Sequence, residues 1–125
     1  MGVPGIVMLA GQRVKVDILV RPEELRRGLM GRTSLPDDEG ALFWMDRADH
    51  AFWMHETPIA LDLVFIDLNR VVGVMTLQPF DRTLHRLGKL SNVVLEVRGG
   101  WAEKYGVLEG ETVGMHTLAT PGRSG

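Results

Sequence analysis

The sequence predicts an α+β fold, mainly antiparallel β: a small barrel-like sheet carrying two short helices. Three observations predict it. Apolar and β-branched residues recur in short runs, some with a period of two. Clusters of Gly, Pro, Asn and Asp separate those runs. The two stretches with a helical signal, at Pro22 and at Trp101, are both short. Short runs broken by turns favour antiparallel pairing, and closing the sheet would remove its exposed edges.

The elements follow in order. Residues 6–9 and 14–20 flank Gly11-Gln12-Arg13, and Val14, Val16 and Ile18 alternate with Lys15 and Asp17, which reads as a hairpin. Pro22 with Glu23 and Glu24 suits a first helical turn, and Arg26 and Arg27 suit its last. This helix is expected over 22–30, with Leu25 and Leu29 on one face and Gly31 as its stop. Residues 35–40 form a polar turn, 41–45 a strand, 46–50 a turn and 51–54 a second short strand. Residues 59–66 suit a buried strand, 67–70 a hairpin turn and 71–77 the return strand. The long polar segment 78–89 is the expected mobile loop. A strand at 92–97 leads through Gly99-Gly100 to a helix at 101–105, and the last strand is expected over 111–118. One domain over 1–125 is expected, with its core at about 5–118 and a frayed tail at 119–125.

Composition narrows the function classes. At 125 residues the chain can bury a core without staples. A net charge of −2 lacks the basic excess of a nucleic-acid or anionic-lipid binder. No cysteine is present, which excludes disulfides, thiolate metal sites and thiol nucleophiles. No run approaches the roughly 20 apolar residues of a membrane span, and residues 1–10 lack the basic start of a signal peptide. Neither nucleic acid nor membrane insertion is therefore expected. No cofactor is expected either: there is no GxGxxG and no P-loop. Ser34, Ser91 and Ser124 lack a GxSxG elbow, and His50, His55, His85 and His116 lack zinc spacing.

Five blocks carry a resemblance. Gly28-Leu29-Met30-Gly31-Arg32 comes first, then Phe52-Trp53-Met54 with Thr57. Leu61-Asp62 with Phe65-Ile66-Asp67, Val94-Leu95-Glu96-Val97 with Gly100, and Glu109-Gly110-Glu111-Thr112-Val113 follow in order. Together they resemble domain-of-unknown-function family 192, over roughly residues 12–115. The resemblance implies a compact β-rich fold with a helix after the first hairpin and a bacterial or archaeal origin. Many relatives are exported, so it implies a periplasmic or extracellular setting; the chain's lack of a signal peptide leaves the cytoplasm open. It implies no established activity. Two departures stand out: His55 replaces the Lys or Arg often found there, and no Cys follows Pro79.

The polar members of the blocks define a candidate site. Arg32, Trp53, Thr57, Asp62 and Glu96 are the expected ligand-binding residues: an aromatic platform, a hydroxyl, two carboxylates and a guanidinium. They suit a small polar ligand, a sugar or a peptide bound by a non-enzymatic accessory domain. The competing structural reading has Arg32 bridging Asp62 or Glu96 as a staple between helix and sheet. An alternative from another class is a hydrolase using Asp62 and Glu96 as an acid–base pair. A second alternative is a copper or silver carrier using Met30, Met54 and His55, soft ligands beside Trp53. Trp101, Tyr105 and Phe80 are expected near one rim, with Trp101 as the anchor of its helix.

Overall fold

The computed structural model describes residues 2–118. The expected frayed tail at 119–125 lies outside the described residues. The chain opens with a hairpin, β1 (Val3–Leu9) and β2 (Gln12–Leu19). It turns on Ala10 and Gly11, both at positive φ (51° and 73°), a geometry that matches the twist of paired strands. Helix α1 (Pro22–Arg27) follows. It stops short of residue 30 because Gly28 takes φ 46°. Next come β3 (Glu39–Ala48), the two-residue β4 (Ala51–Phe52), β5 (Leu61–Asp67) and β6 (Arg70–Leu77). The turn between β5 and β6 places Leu68 and Asn69 at φ 49° and 66°, again a hairpin geometry. The short β7 (His85–Arg86), β8 (Ser91–Arg98), helix α2 (Trp101–Tyr105) and β9 (Gly114–Thr117) complete the order.

Seven strands form one sheet in the order β6-β5-β8-β3-β2-β1-β9. All pairs are antiparallel except β2 and β3, which are parallel because α1 carries the chain back across the sheet. The mainly antiparallel sheet expected from the sequence is thus present, with this one parallel pair added. The barrel is corrected: the sheet is open. The segment 110–113 reaches the start of β6, where Val71 N–H donates to Glu111 O (2.9 Å) and Val113 N–H to Asn69 O (2.9 Å). The same segment then pairs with β1 as β9. One bridge, Arg70 with Thr112, does not make a ladder, so the sheet curls without closing. The segment expected to be one loop at 78–89 also contains β7, which pairs with β4 as a second, two-stranded sheet.

The sheet is buried on both faces at its centre. Every residue of β5 except Asp67 is buried, and β8 is nearly so. One face packs Val64, Ile66, Val93, Leu95 and Val97 against the first hairpin and Trp101 of α2. The other packs Leu61, Leu63, Phe65 and Val94 against Leu29, Leu35 and Met54. The continuous apolar runs of β5 and β8 have this cause: alternation separates two buried layers, not core from water.

Candidate functional site

A cavity of about 600 Å³ lies on the second of these faces, between α1 and the segment 50–57. Phe43 and Met45 of β3, Leu61 of β5 and Glu96 of β8 form its sheet side. Gly28, Leu29 and Met30 wall one flank; Phe52, Met54 and Thr57 wall the other. Phe52 stands edge-on between Phe43 and Phe65, with centroids 5.5 and 5.7 Å apart. These contacts make a stiff apolar wall.

Local bonding fixes the flank. Thr57 is buried, its hydroxyl donates to His55 O (3.1 Å) and its N–H to Met54 O (3.1 Å). Glu56 takes φ 52° in this turn, and its carbonyl accepts from Gly31 N–H (2.8 Å), tying the exit of α1 to the opposite wall. Phe80 N–H donates to Thr57 O (3.0 Å) and Met54 N–H to Asp81 O (2.6 Å), which holds the segment that follows β6 against the same turn. Trp53 stands at the mouth, 41% exposed and stacked on His55 at 4.8 Å, with the Arg82 guanidinium 5.8 Å from its ring.

Glu96 is the polar feature of the cavity. It is 6% exposed, and among the described residues no hydrogen bond or ion pair engages its carboxyl. Burial pushes its pKa up from 4.5 to about 8, because the charged form is poorly solvated there. Gly28 keeps the backbone of the α1 exit close by. A Cβ there would lie 2.9 Å from Phe43 Cζ and 3.8 Å from Glu96 Oε1.

The other expected site residues lie elsewhere. Asp62 pairs in register with Val97, whereas Glu96 pairs with Leu63, so the two carboxyls emerge on opposite faces of the sheet. Asp62 is 1% exposed and receives three bonds: Gly100 N–H (3.1 Å), Ala102 N–H (2.9 Å) and the Thr76 hydroxyl (2.7 Å). It caps α2 from a neighbouring strand and satisfies N–H groups that a helix start leaves unpaired. Arg32 reaches neither Asp62 nor Glu96. It pairs with Glu39 at 3.4 Å, with both side chains over 40% exposed, so it is not the buried staple. Trp53, Thr57 and Glu96 are thus brought to one cavity; Arg32 and Asp62 are not. The acid–base pair of a hydrolase is not assembled. Met30, Met54 and His55 do share the cavity wall, but among the described residues no three His, Asp or Glu side chains cluster closely enough to hold a metal.

The expected aromatic rim also separates. Trp101 is buried and its indole N–H donates to Asp37 O (2.8 Å), while Phe80 is exposed beside the opposite layer. Asp37 gathers α2: its carboxylate accepts from Tyr105 Oη (2.7 Å), bonds Lys104 and pairs with Arg98 (2.7 Å). The Lys104 and Tyr105 bonds hold its carboxyl below the usual range. Sequence reasoning missed Asp37 as this anchor, reading it as a turn residue. It also missed Gly28, Phe43, Phe52 and Leu61 as cavity walls. The placement of Phe43, Phe52 and Leu61 on strands was legible, but which layer they would face was not.

Comparisons with known proteins fit this architecture. The family model DUF192, described as Uncharacterized ACR, matches residues 6–115. A crystal structure of a protein of unknown function from Novosphingobium aromaticivorans is similar at 33% identity, covering 89% of this chain and 83% of that one, with a TM-score of 0.78. A structure from Sinorhizobium meliloti, described as a candidate transcription regulator, shares the fold: TM-score 0.83, 22% identity, 92% of this chain and 96% of that one. No curated protein matches the sequence. Among the described residues no helix is long and apolar enough to cross a membrane.

Proposed function

The chain belongs to the DUF192 family of uncharacterised proteins, and we propose that it is a small-ligand binding domain whose site is the cavity between α1 and the segment 50–57. One observation carries this reading: a carboxyl, Glu96, is buried without a partner among the described residues and lines a cavity walled mainly by apolar side chains. A native fold seldom leaves a buried polar group unpaired, since the lost solvation costs about 1–3 kcal/mol. Such a group is retained where a ligand completes it. Trp53 supplies an aromatic platform at the mouth, and Thr57 holds the wall in shape. The ligand is a compact molecule with a mostly apolar body and one polar group that reaches Glu96. This narrows the wider range of sugars and peptides that the sequence allows.

A fragment screen by amide NMR tests the reading, with an Ala51→Trp variant whose new side chain fills the mouth. Hits are expected to shift Trp53, Thr57 and Glu96 in the native chain and to leave the variant unchanged. Hits that shift other surfaces alone, or that bind both proteins equally, would remove the cavity as the site. A second reading has one supporting observation: the thioethers of Met30, Met45 and Met54 line the same space as His50 and His55. Silver(I) binding that is lost in Met54→Leu and kept in Glu96→Gln would favour that soft-metal role.

A further inference from the structure

We propose that the ligand is a small organic cation, an apolar body bearing one ammonium group, and that the ammonium sits on Glu96. This rests on the binding-domain reading and specifies its chemistry. The first support is the distribution of charge. Glu96 is the one buried ionisable group among the described residues lining the cavity. Glu23, Arg26 and Arg27 of α1 are exposed at its edge, where water screens them. On the opposite wall, His50 is bonded to Asp46 O (2.7 Å), and His55 is paired with Glu56 (3.4 Å) and stacked on Trp53. Among the described residues no cation pairs with Glu96.

The second support is what each ligand charge would meet. An ammonium supplies N–H donors and a positive charge, turning an unpaired buried acid into a charge-assisted pair. A neutral hydroxyl makes one ordinary bond. An anion requires Glu96 to keep its proton and then still leaves a charge buried. The walls suit the rest of a cation: Phe43 and Phe52 offer aromatic surface, and Met54 a polarisable thioether. The proton balance is simple. The empty site holds the protonated carboxyl at pH 7. The incoming ammonium keeps all its protons, Glu96 gives up its own to solvent, and the bound state is an ammonium–carboxylate pair. Binding therefore releases up to one proton and tightens as pH rises toward 8.

Calorimetry on the full chain at pH 7, in two buffers of different ionisation enthalpy, tests this with three probes: 2-phenylethylamine, 3-phenylpropan-1-ol and 3-phenylpropionate. The amine is expected to bind about 10-fold or more tighter than either analogue. It is expected to release close to one proton, and His50→Gln and His55→Gln should keep that release. Glu96→Gln should lose both the preference and the release while still binding the alcohol. If the alcohol or the propionate binds as well as the amine, or Glu96→Gln keeps the preference for the amine, the cation inference falls and the cavity remains a binding site. If none of the three perturbs the cavity, both readings fall.

Discussion

Asp62 and Glu96 are the same functional group on adjacent strands, both buried, and they do opposite things. Asp62 faces the layer beneath α2 and receives three hydrogen bonds. Glu96, paired in register with Leu63 beside Asp62, faces the other layer and receives none among the described residues. The comparison teaches that a buried carboxyl is assigned by its donors, not by its burial. Where the backbone supplies N–H groups, the residue is a cap. Where the neighbours are Phe43, Leu61 and Gly28, none of the described residues donates to it, and the proposed ligand would supply the donor.

The sharpest test of the first half is Asp62→Ala. It strands two backbone N–H groups at the start of α2 and the Thr76 hydroxyl, so unfolding stability should fall by about 3–5 kcal/mol, read from urea melts. Glu96→Gln should move the other way. The folded chain holds the Glu96 proton up to pH about 8, while the unfolded chain loses it near 4.5. Native stability is therefore full at low pH, erodes as pH rises through that window and levels off above it. The Gln variant should lack this slope and gain about 2–4 kcal/mol at pH 8. A loss of stability at pH 8 would mean that the native carboxyl has a partner after all. Gly28→Ala comes next. Its Cβ would crowd Phe43 at 2.9 Å from a backbone at φ 46°, so about 1–2 kcal/mol of thermal stability should be lost and cavity ligands weakened. Arg32→Ala should change stability by no more than about 0.5 kcal/mol, as an exposed pair with Glu39 allows. A larger loss would restore the staple.

Most of the strands were legible, because the hairpin turns expected at 11–13 and 67–70 and the period-two runs are local signals. The family blocks were legible for the same reason. The parallel step between β2 and β3 was not: it depends on where α1 returns the chain, which no local pattern states. The open sheet was not legible either, since closure turns on how segment 110–113 meets the edge of β6. Within the site, the period of two in Leu95-Glu96-Val97 separates Glu96 from its two neighbours. It could not reveal that β5 and β8 are covered on both faces, so the face opposite Leu95 and Val97 is a second buried layer. Whether Asp62 and Glu96 would share a face depended on strand register, which places Asp62 opposite Val97. Arg32 follows a helix that ends earlier than expected, and its side chain reaches Glu39 at the surface.

The most direct test of the central claim is a carbon-13 titration of the Glu96 carboxyl in the ligand-free protein. A partnerless carboxyl facing the cavity should titrate with a midpoint near 8. A midpoint near the ordinary value of 4.5 would show that water or an internal donor already satisfies it, and the cavity would lose the feature that makes it a site.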